Sequence, residues 1–189
     1  MQDLEVYFDA KTRAYYTANG IPYRRGILLY GPPGTGKTSL SKAIAGHFGL
    51  GLHILDLNTL TDEKAFPELR EITAQIRATL LSGLLNAIGG LTARDGRLLI
   101  MTTNMMTHLD PTLIREGRID KKYFMGYSTK VTATITLKRL FGTDPCCKHS
   151  VKEIENLSKN FGKKVPEGKF TAAEIQAYCM ECGDNRKRR

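Results

Sequence analysis

Eight consecutive residues, Gly31, Pro32, Pro33, Gly34, Thr35, Gly36, Lys37 and Thr38, have the types and spacing of a phosphate cradle, G-x-x-x-x-G-K-[ST]. Glycines at these positions let successive backbone N–H groups turn inward around an oxyanion, and a helix start behind them adds partial positive charge. Lys37 would neutralise the β- and γ-phosphates of ATP, and the Thr38 hydroxyl would ligate Mg²⁺. The bland alternative is a chance glycine-rich turn, and the flanks argue against it. An apolar strand, Gly26-Ile27-Leu28-Leu29-Tyr30, precedes the motif. A helical stretch, Ser39 to Phe48, follows it with Leu40, Ala43, Ile44 and Phe48 on one face. Holding ATP is implied. Spending it is not, because a phosphate cradle alone supplies no base.

The elements that must position this loop can be read along the chain. Asp3 to Asn19 is a polar, partly helical lead-in, ended by Gly20 and Pro22. After the loop helix come a second strand, Leu52–Leu57, a short helix capped by Thr61-Asp62-Glu63, and a long helix over about Glu71 to Ile88. Leu98–Asn104 is a third strand, apolar enough to be central in a parallel sheet, and Lys122–Gly126 is a fourth. Past Tyr127 only helical patterns occur: Thr129–Phe141, Ser150–Phe161 and Thr171–Cys182, the last opening with the capping pair Thr171 and Glu174. The expected class is α/β, a P-loop NTPase parallel sheet with a C-terminal helical lid. The expected division is a lead-in over 1–25, a nucleotide-binding domain over 26–127 and a lid with a basic tail over 128–189.

At 189 residues the chain can bury a real core. No apolar run approaches the ~18 residues of a membrane span, and the N-terminus has neither the apolar block of a secretory signal nor the composition of a transit peptide. The net charge of +9 is diffuse, and its densest run is Arg186–Arg189. Such a tail could touch nucleic acid or serve as a nuclear signal, but no aromatic residue interleaves it, and a solvated terminus accounts for it; no nucleic-acid partner is expected. Cys146-Cys147 near His149, and Cys179-x-x-Cys182, invite a zinc or redox reading. Ile175, Tyr178, Cys179 and Cys182 nevertheless fall on one helical stripe, where thiols serve as small hydrophobes, and disulfides are not implied.

Taken together the motifs resemble the AAA ATPases over nearly the whole chain. The phosphate loop is followed by a strand ending in Thr102-Thr103-Asn104, similar to the sensor-1 position. Next comes Leu109-Asp110-Pro111-x-Leu113-Ile114-Arg115-x-Gly117-Arg118-Ile119-Asp120, similar to the second region of homology. Gly20–Gly26, Ala45–Phe48, Leu60–Glu63, Leu81–Ile88 and Ala173–Gln176 look like the branch of mitochondrial inner-membrane AAA chaperones that help insert the Rieske iron–sulfur protein into respiratory complex III. This resemblance implies that Asn104 orients water beside the γ-phosphate. It also implies that Arg115 and Arg118 are arginine fingers entering a neighbouring subunit's site, where such a group contributes roughly 10³–10⁵ in rate in related systems. A homo-oligomeric ring, a protein substrate and ATP-driven translocation or remodelling follow from the same resemblance. So does an inner-membrane location, through an anchor outside this chain. On the residues alone, the two arginines could equally pair with Glu116 or Asp120 on a surface loop.

One expected part is missing. The family places four apolar residues ending in Asp-Glu between the Leu60–Glu63 and Leu81–Ile88 motifs, the Asp holding the Mg²⁺ shell and the next carboxylate activating water. Here Lys64 to Leu80 contains no apolar run and no such acidic pair, so one central strand is absent. Asp56 in His53-Ile54-Leu55-Asp56-Leu57 could stand in for the metal-shell residue, but Leu57 occupies the place of the base; Glu68 and Glu71 lie on helical segments. Losing the base costs roughly 10²–10⁴ in rate. The alternative to an active ATPase is therefore a degenerate or shortened member that holds nucleotide without efficient hydrolysis.

Overall fold

A computed structural model describes residues 2–53, 96–144 and 149–187. In chain order these form α1 (Gln2–Phe8), α2 (Ala10–Ala18), β1 (Arg24–Tyr30), α3 (Lys37–His47), β2 (Arg97–Thr103), a 3₁₀ turn (Met106–His108), β3 (Lys121–Phe124), α4 (Lys130–Gly142), α5 (Val151–Lys164) and α6 (Ala172–Lys187). The strands make a parallel sheet in the order β2-β1-β3. Bonds at either end tie the β3 segment to β1: the Asp120 N–H donates to the Gly26 carbonyl at 2.9 Å and the Met125 N–H to that of Tyr30 at 2.8 Å, an advance of five residues against four. Gly26, Ile27, Leu28 and Leu29 are buried in succession, as in a strand covered on both faces.

Among the described strands β1 is the one with a neighbour on each side. Among the described residues β2 flanks it and is half-buried along most of its length. An all-apolar strand reads as central from composition alone, but burial depends on what lies on its outer side. The expected second strand, the Thr61 helix, the long helix over 71–88, Asp56 and the Cys146-Cys147 pair lie wholly or mostly outside the described residues.

The chain divides into two compact units, and the division passes through β1. The first comprises Met1–Leu28, Gly49–Met101 and Leu109–Lys122. Its helical lead-in is less polar than the sequence suggests, because Leu4 and Tyr7 are buried. Tyr7 stacks on Tyr23 with ring centroids 4.6 Å apart, Tyr16 meets Tyr23 edge-on at 5.6 Å, and the Arg13 guanidinium stands 6.0 Å from the Tyr23 ring. The Tyr23 hydroxyl donates to the Tyr7 carbonyl, and Arg25 pairs with Asp3 at 2.7 Å. Burial pushes both Tyr7 and Tyr23 phenols up, so both remain donors at neutral pH. Charged Asp3 and Glu5 hide the helical spacing of Leu4, Tyr7 and Phe8.

The second unit comprises Leu29–Phe48, Thr102–His108 and Tyr123–Arg189. Its helices α4, α5 and α6 close around Ala133, Val165, Ile175 and Cys179, with Leu137, Leu140, Phe141 and Phe161 against them. Helix α4 crosses α5 so closely that a Cβ on Gly162 would stand 1.9 Å from Thr134 Oγ1. Of the expected stripe on α6, Ile175 and Cys179 are buried and Cys182 is half-buried. Tyr178 is exposed, its ring stacked on Phe161 at 6.0 Å. No group of three or more His, Cys, Asp or Glu placed to hold a metal occurs among the described residues.

Two helices start with reciprocal caps. The Glu153 N–H donates to Ser150 Oγ at 3.3 Å and the Ser150 N–H to Glu153 Oε2 at 2.8 Å; Thr171 and Glu174 repeat this at 3.3 and 2.7 Å. Hydrogen bonds from the Ser150 and Thr171 backbone, then from their hydroxyls, hold both carboxylates below their ordinary value of 4.5. The folded state therefore binds these protons less tightly than the unfolded chain. The stabilisation is full above the ordinary value and is lost as pH falls through the depressed folded value. Thermal melts recorded from about pH 6 to about pH 3 should show the midpoint dropping in the acid limb, and Glu153→Gln with Glu174→Gln should flatten that limb. An acid limb unchanged by the double substitution would contradict the assignment.

Candidate functional site: the phosphate loop

The loop begins where β1 ends. Gly31, Gly34 and Gly36 all take left-handed φ values, 139°, 75° and 94°, which favour glycine. At Gly31 the requirement is also steric, since a Cβ there would stand 2.2 Å from the Met125 carbonyl oxygen at the exit of β3. Gly36 is the N-cap of α3 and no side chain caps this helix, an arrangement that leaves first-turn N–H groups to an anion.

Lys37 is buried within the loop, at 7% exposure. Its ammonium donates to the Gly31 carbonyl at 2.8 Å and the Pro32 carbonyl at 2.6 Å, and lies 3.4 Å from Thr35 Oγ1. Thr35 is buried and donates its hydroxyl to the Pro32 carbonyl at 2.9 Å. Burial pushes the Lys37 pKa down from its ordinary value. Carbonyl dipoles only partly offset that desolvation, and a phosphate anion is a stronger partner for the same N–H groups. Thr38, the second residue of α3, is exposed. The donor set therefore fits a polyphosphate, and the Thr38 hydroxyl is the group in this loop suited to a hard cation such as Mg²⁺.

Asn104 is exposed and follows directly on the last residue of β2. Thr103 Oγ1 bonds the Met105 N–H at 3.1 Å and turns the chain there. Parallel strands send their carboxyl ends to one edge of a sheet, so Asn104 and Gly31–Thr38 leave the same edge. Both belong to the second unit.

Arg115 and Arg118 belong to the first unit, on the segment leading into β3. Asp110 opens it, accepting the Thr112 N–H at 2.8 Å and hydroxyl at 2.6 Å, bonds that hold its carboxyl below the usual range. Arg118 donates to the Thr112 carbonyl, and Gly117 takes φ 83°. Asp120 uses Oδ2 to accept the Gly26 N–H at 2.8 Å. The pairing with Glu116 or Asp120 that the residues left open is absent among the described residues. Arg115 is exposed, whereas Arg118 is half-buried and braces its own loop.

Sequence reasoning missed four residues that shape this site. Met125 walls Gly31, Asp120 and Gly26 lock the arginine segment to β1, and Ala173 meets the loop crest, its N–H donating to the Gly34 carbonyl at 3.0 Å. Met125, Gly26 and Ala173 act through backbone atoms distant in sequence, which no spacing signals; Asp120 lies within the Leu109–Asp120 motif, but its partner on β1 is 94 positions away.

The model of the ATPase family associated with various cellular activities (AAA) matches residues 27–80 and 68–127. The human mitochondrial chaperone BCS1 is 32% identical over 213 residues, covering 95% of this chain and 48% of the relative. The probable mitochondrial chaperone bcs1 of Schizosaccharomyces pombe is 36% identical over 166 residues, with 75% and 37% covered. The probable mitochondrial chaperone BCS1-A of Dictyostelium discoideum is 35% identical over 198 residues, with 89% and 45% covered. The chain thus spans at most about half the length of these relatives. Its human match extends over 213 positions, yet 95% of 189 residues is about 180, so some thirty positions are filled by the relative alone. The two family-model stretches both claim residues 68–80, inside the interval where the sequence lacks the acidic strand.

Proposed function

Because this chain belongs to the AAA family of ATPases, we propose that it is the nucleotide-binding module of a BCS1-type mitochondrial chaperone, holding ATP with Mg²⁺ on Gly31–Thr38. The observation that carries this reading is the loop itself: three left-handed glycines, a buried Lys37 and an uncapped helix start within eight residues. In this reading the chain assembles into a homo-oligomeric ring, Asn104 orients the attacking water, and Arg115 and Arg118 reach a neighbour's nucleotide. Arg115 is the stronger finger, since Arg118 is already engaged with Thr112. The finer function, coupling of ATP hydrolysis to translocation or remodelling of a protein substrate at the mitochondrial inner membrane, is carried by similarity to the BCS1 chaperones. No helix among the described residues is long and apolar enough to cross a membrane.

A fluorescent ATP analogue with Mg²⁺ tests the core of this reading. Saturable binding is expected, and Lys37→Ala should weaken it by roughly 10- to 150-fold, the worth of a hydrogen bond to a charged group. Binding undiminished in Lys37→Ala would sink the assignment. A second reading is favoured by one specific observation, the missing acidic pair between Lys64 and Leu80. On it the chain binds nucleotide without efficient turnover and acts as a scaffold.

A further inference from the structure

The crest of the phosphate loop rests on the first turn of α6. Gly34 presents its carbonyl oxygen to the Ala173 N–H at 3.0 Å. A Cβ on Gly34 would stand 3.1 Å from Thr171 Oγ1 and 3.4 Å from the Ala173 Cβ, so loop and helix start are in van der Waals contact. The helix start is itself immobilised. Thr171 is buried and locked to Glu174 by the reciprocal cap, and the Ser128 N–H donates to the Phe170 carbonyl at 2.7 Å. The first N–H groups of a helix have no acceptor within the helix, and that of Ala173 is satisfied by the phosphate loop.

We propose that Ala173, seated by Thr171, is a positioning residue for the phosphate loop: its N–H selects which way the Gly34–Thr35 peptide faces and so ties nucleotide affinity to the docking of α6. The inference rests on the reading of Gly31–Thr38 as an ATP cradle and adds to it a residue outside the motif. A peptide unit is planar and trans, so its C=O and N–H point to opposite sides. With the Gly34 carbonyl turned to Ala173, the Thr35 N–H is turned away from α6 and is free to face a phosphate oxygen. Rotating that peptide would offer a carbonyl oxygen instead, repelling the anion. Glycine visits both signs of φ at little cost, so Gly34 does not choose between these states unaided. The Ala173 bond chooses. By linkage the effect is reciprocal: loosening α6 weakens the hold on phosphate, and phosphate on the loop steadies α6.

Ala173→Pro deletes the N–H at the second helical position, within the first turn, where no intrahelical hydrogen bond is lost. Binding of the fluorescent ATP analogue with Mg²⁺, measured well below the melting temperature, should weaken roughly three- to tenfold. Hydrogen exchange in residues 31–38 should quicken in nucleotide-free protein. Ala173→Ser, the conservative change, keeps the N–H and should recover both values. Ala173→Pro with unchanged helicity, affinity and exchange would overturn the proposal. Should the proline variant lose helicity, Ala173→Val decides: it keeps the N–H but crowds Gly34, and an unaltered affinity then counts against the contact. If the unsubstituted chain fails to bind the analogue, the ATP reading fails separately. The exchange comparison still decides whether Ala173 holds the loop: quickening supports it and identical exchange overturns it.

Discussion

Supplied with Mg²⁺ and ATP, the purified chain is expected to release phosphate roughly 10²–10⁴-fold more slowly than AAA relatives that carry both strand-borne carboxylates. The parts that the proposed function assigns to binding are in place: the glycines of the loop, Lys37 among loop carbonyls, and the exposed Thr38 at the start of α3. Such contacts grip substrate and transition state alike, and uniform binding does not accelerate the chemical step. Acceleration needs a group that takes the proton of the attacking water, and the sequence from Lys64 to Leu80 has no apolar run ending in an Asp-Glu pair to present it. The double match of residues 68–80 to the family model marks the same interval. Steady-state phosphate release, with Lys37→Ala as the baseline, measures the deficit. A rate equal to that of the complete relatives would mean that another carboxylate serves. Asp56→Asn, Glu68→Gln and Glu71→Gln would then identify it.

Gly26→Ala is expected to cost several kcal/mol of stability without touching the phosphate loop. A Cβ on Gly26 would stand 1.7 Å from the Arg118 carbonyl oxygen, 2.7 Å from its carbon and 3.0 Å from the Ile119 Cα. All three are backbone atoms, so no side chain can swing aside. Strand β1 and the arginine segment would have to part, which breaks the Gly26 N–H···Asp120 Oδ2 and Asp120 N–H···Gly26 O bonds at 2.8 and 2.9 Å. Overpacking costs ~1–3 kcal/mol, and the hydrogen bond to the Asp120 carboxylate adds ~1.5–3 kcal/mol. Against a typical stability of ~5–15 kcal/mol this is a large fraction. A fall of roughly 10 °C in melting temperature, or insoluble protein, should follow. A melting temperature within about two degrees of the parent would show that the strand and the segment do not approach this closely. Asp120→Asn, which keeps an acceptor oxygen, should be the milder change.

The features that were legible in the sequence share one property: their partners lie within a few residues. Gly31–Thr38 could be read because a phosphate loop is a local turn, and its glycines are where φ is positive. The helices after Tyr127 could be read from their periodicity, and the caps at Thr129, Ser150 and Thr171 stand where side chain and N–H are three positions apart. The lead-in is helical and largely exposed, as its polar residues indicate, but the burial of Tyr7 was not legible, because the ring it stacks on, Tyr23, lies sixteen positions on. Among the described residues β2 flanks β1 and is half-buried, a degree of burial that its apolar composition alone does not announce.

Residue types and spacing within eight positions determined the loop at Gly31–Thr38 and where its φ turns positive, since such a loop is specified by dihedral freedom, a local property. What holds that loop and its surroundings in shape was decided only in three dimensions. Met125 against Gly31, Ala173 on the Gly34 carbonyl and the Asp120 N–H on the Gly26 carbonyl are contacts between backbone groups about 90 to 140 residues apart. A backbone N–H or C=O is the same in every residue, so no choice of amino acid announces which distant one it will meet. The packing of strands and helices makes that choice.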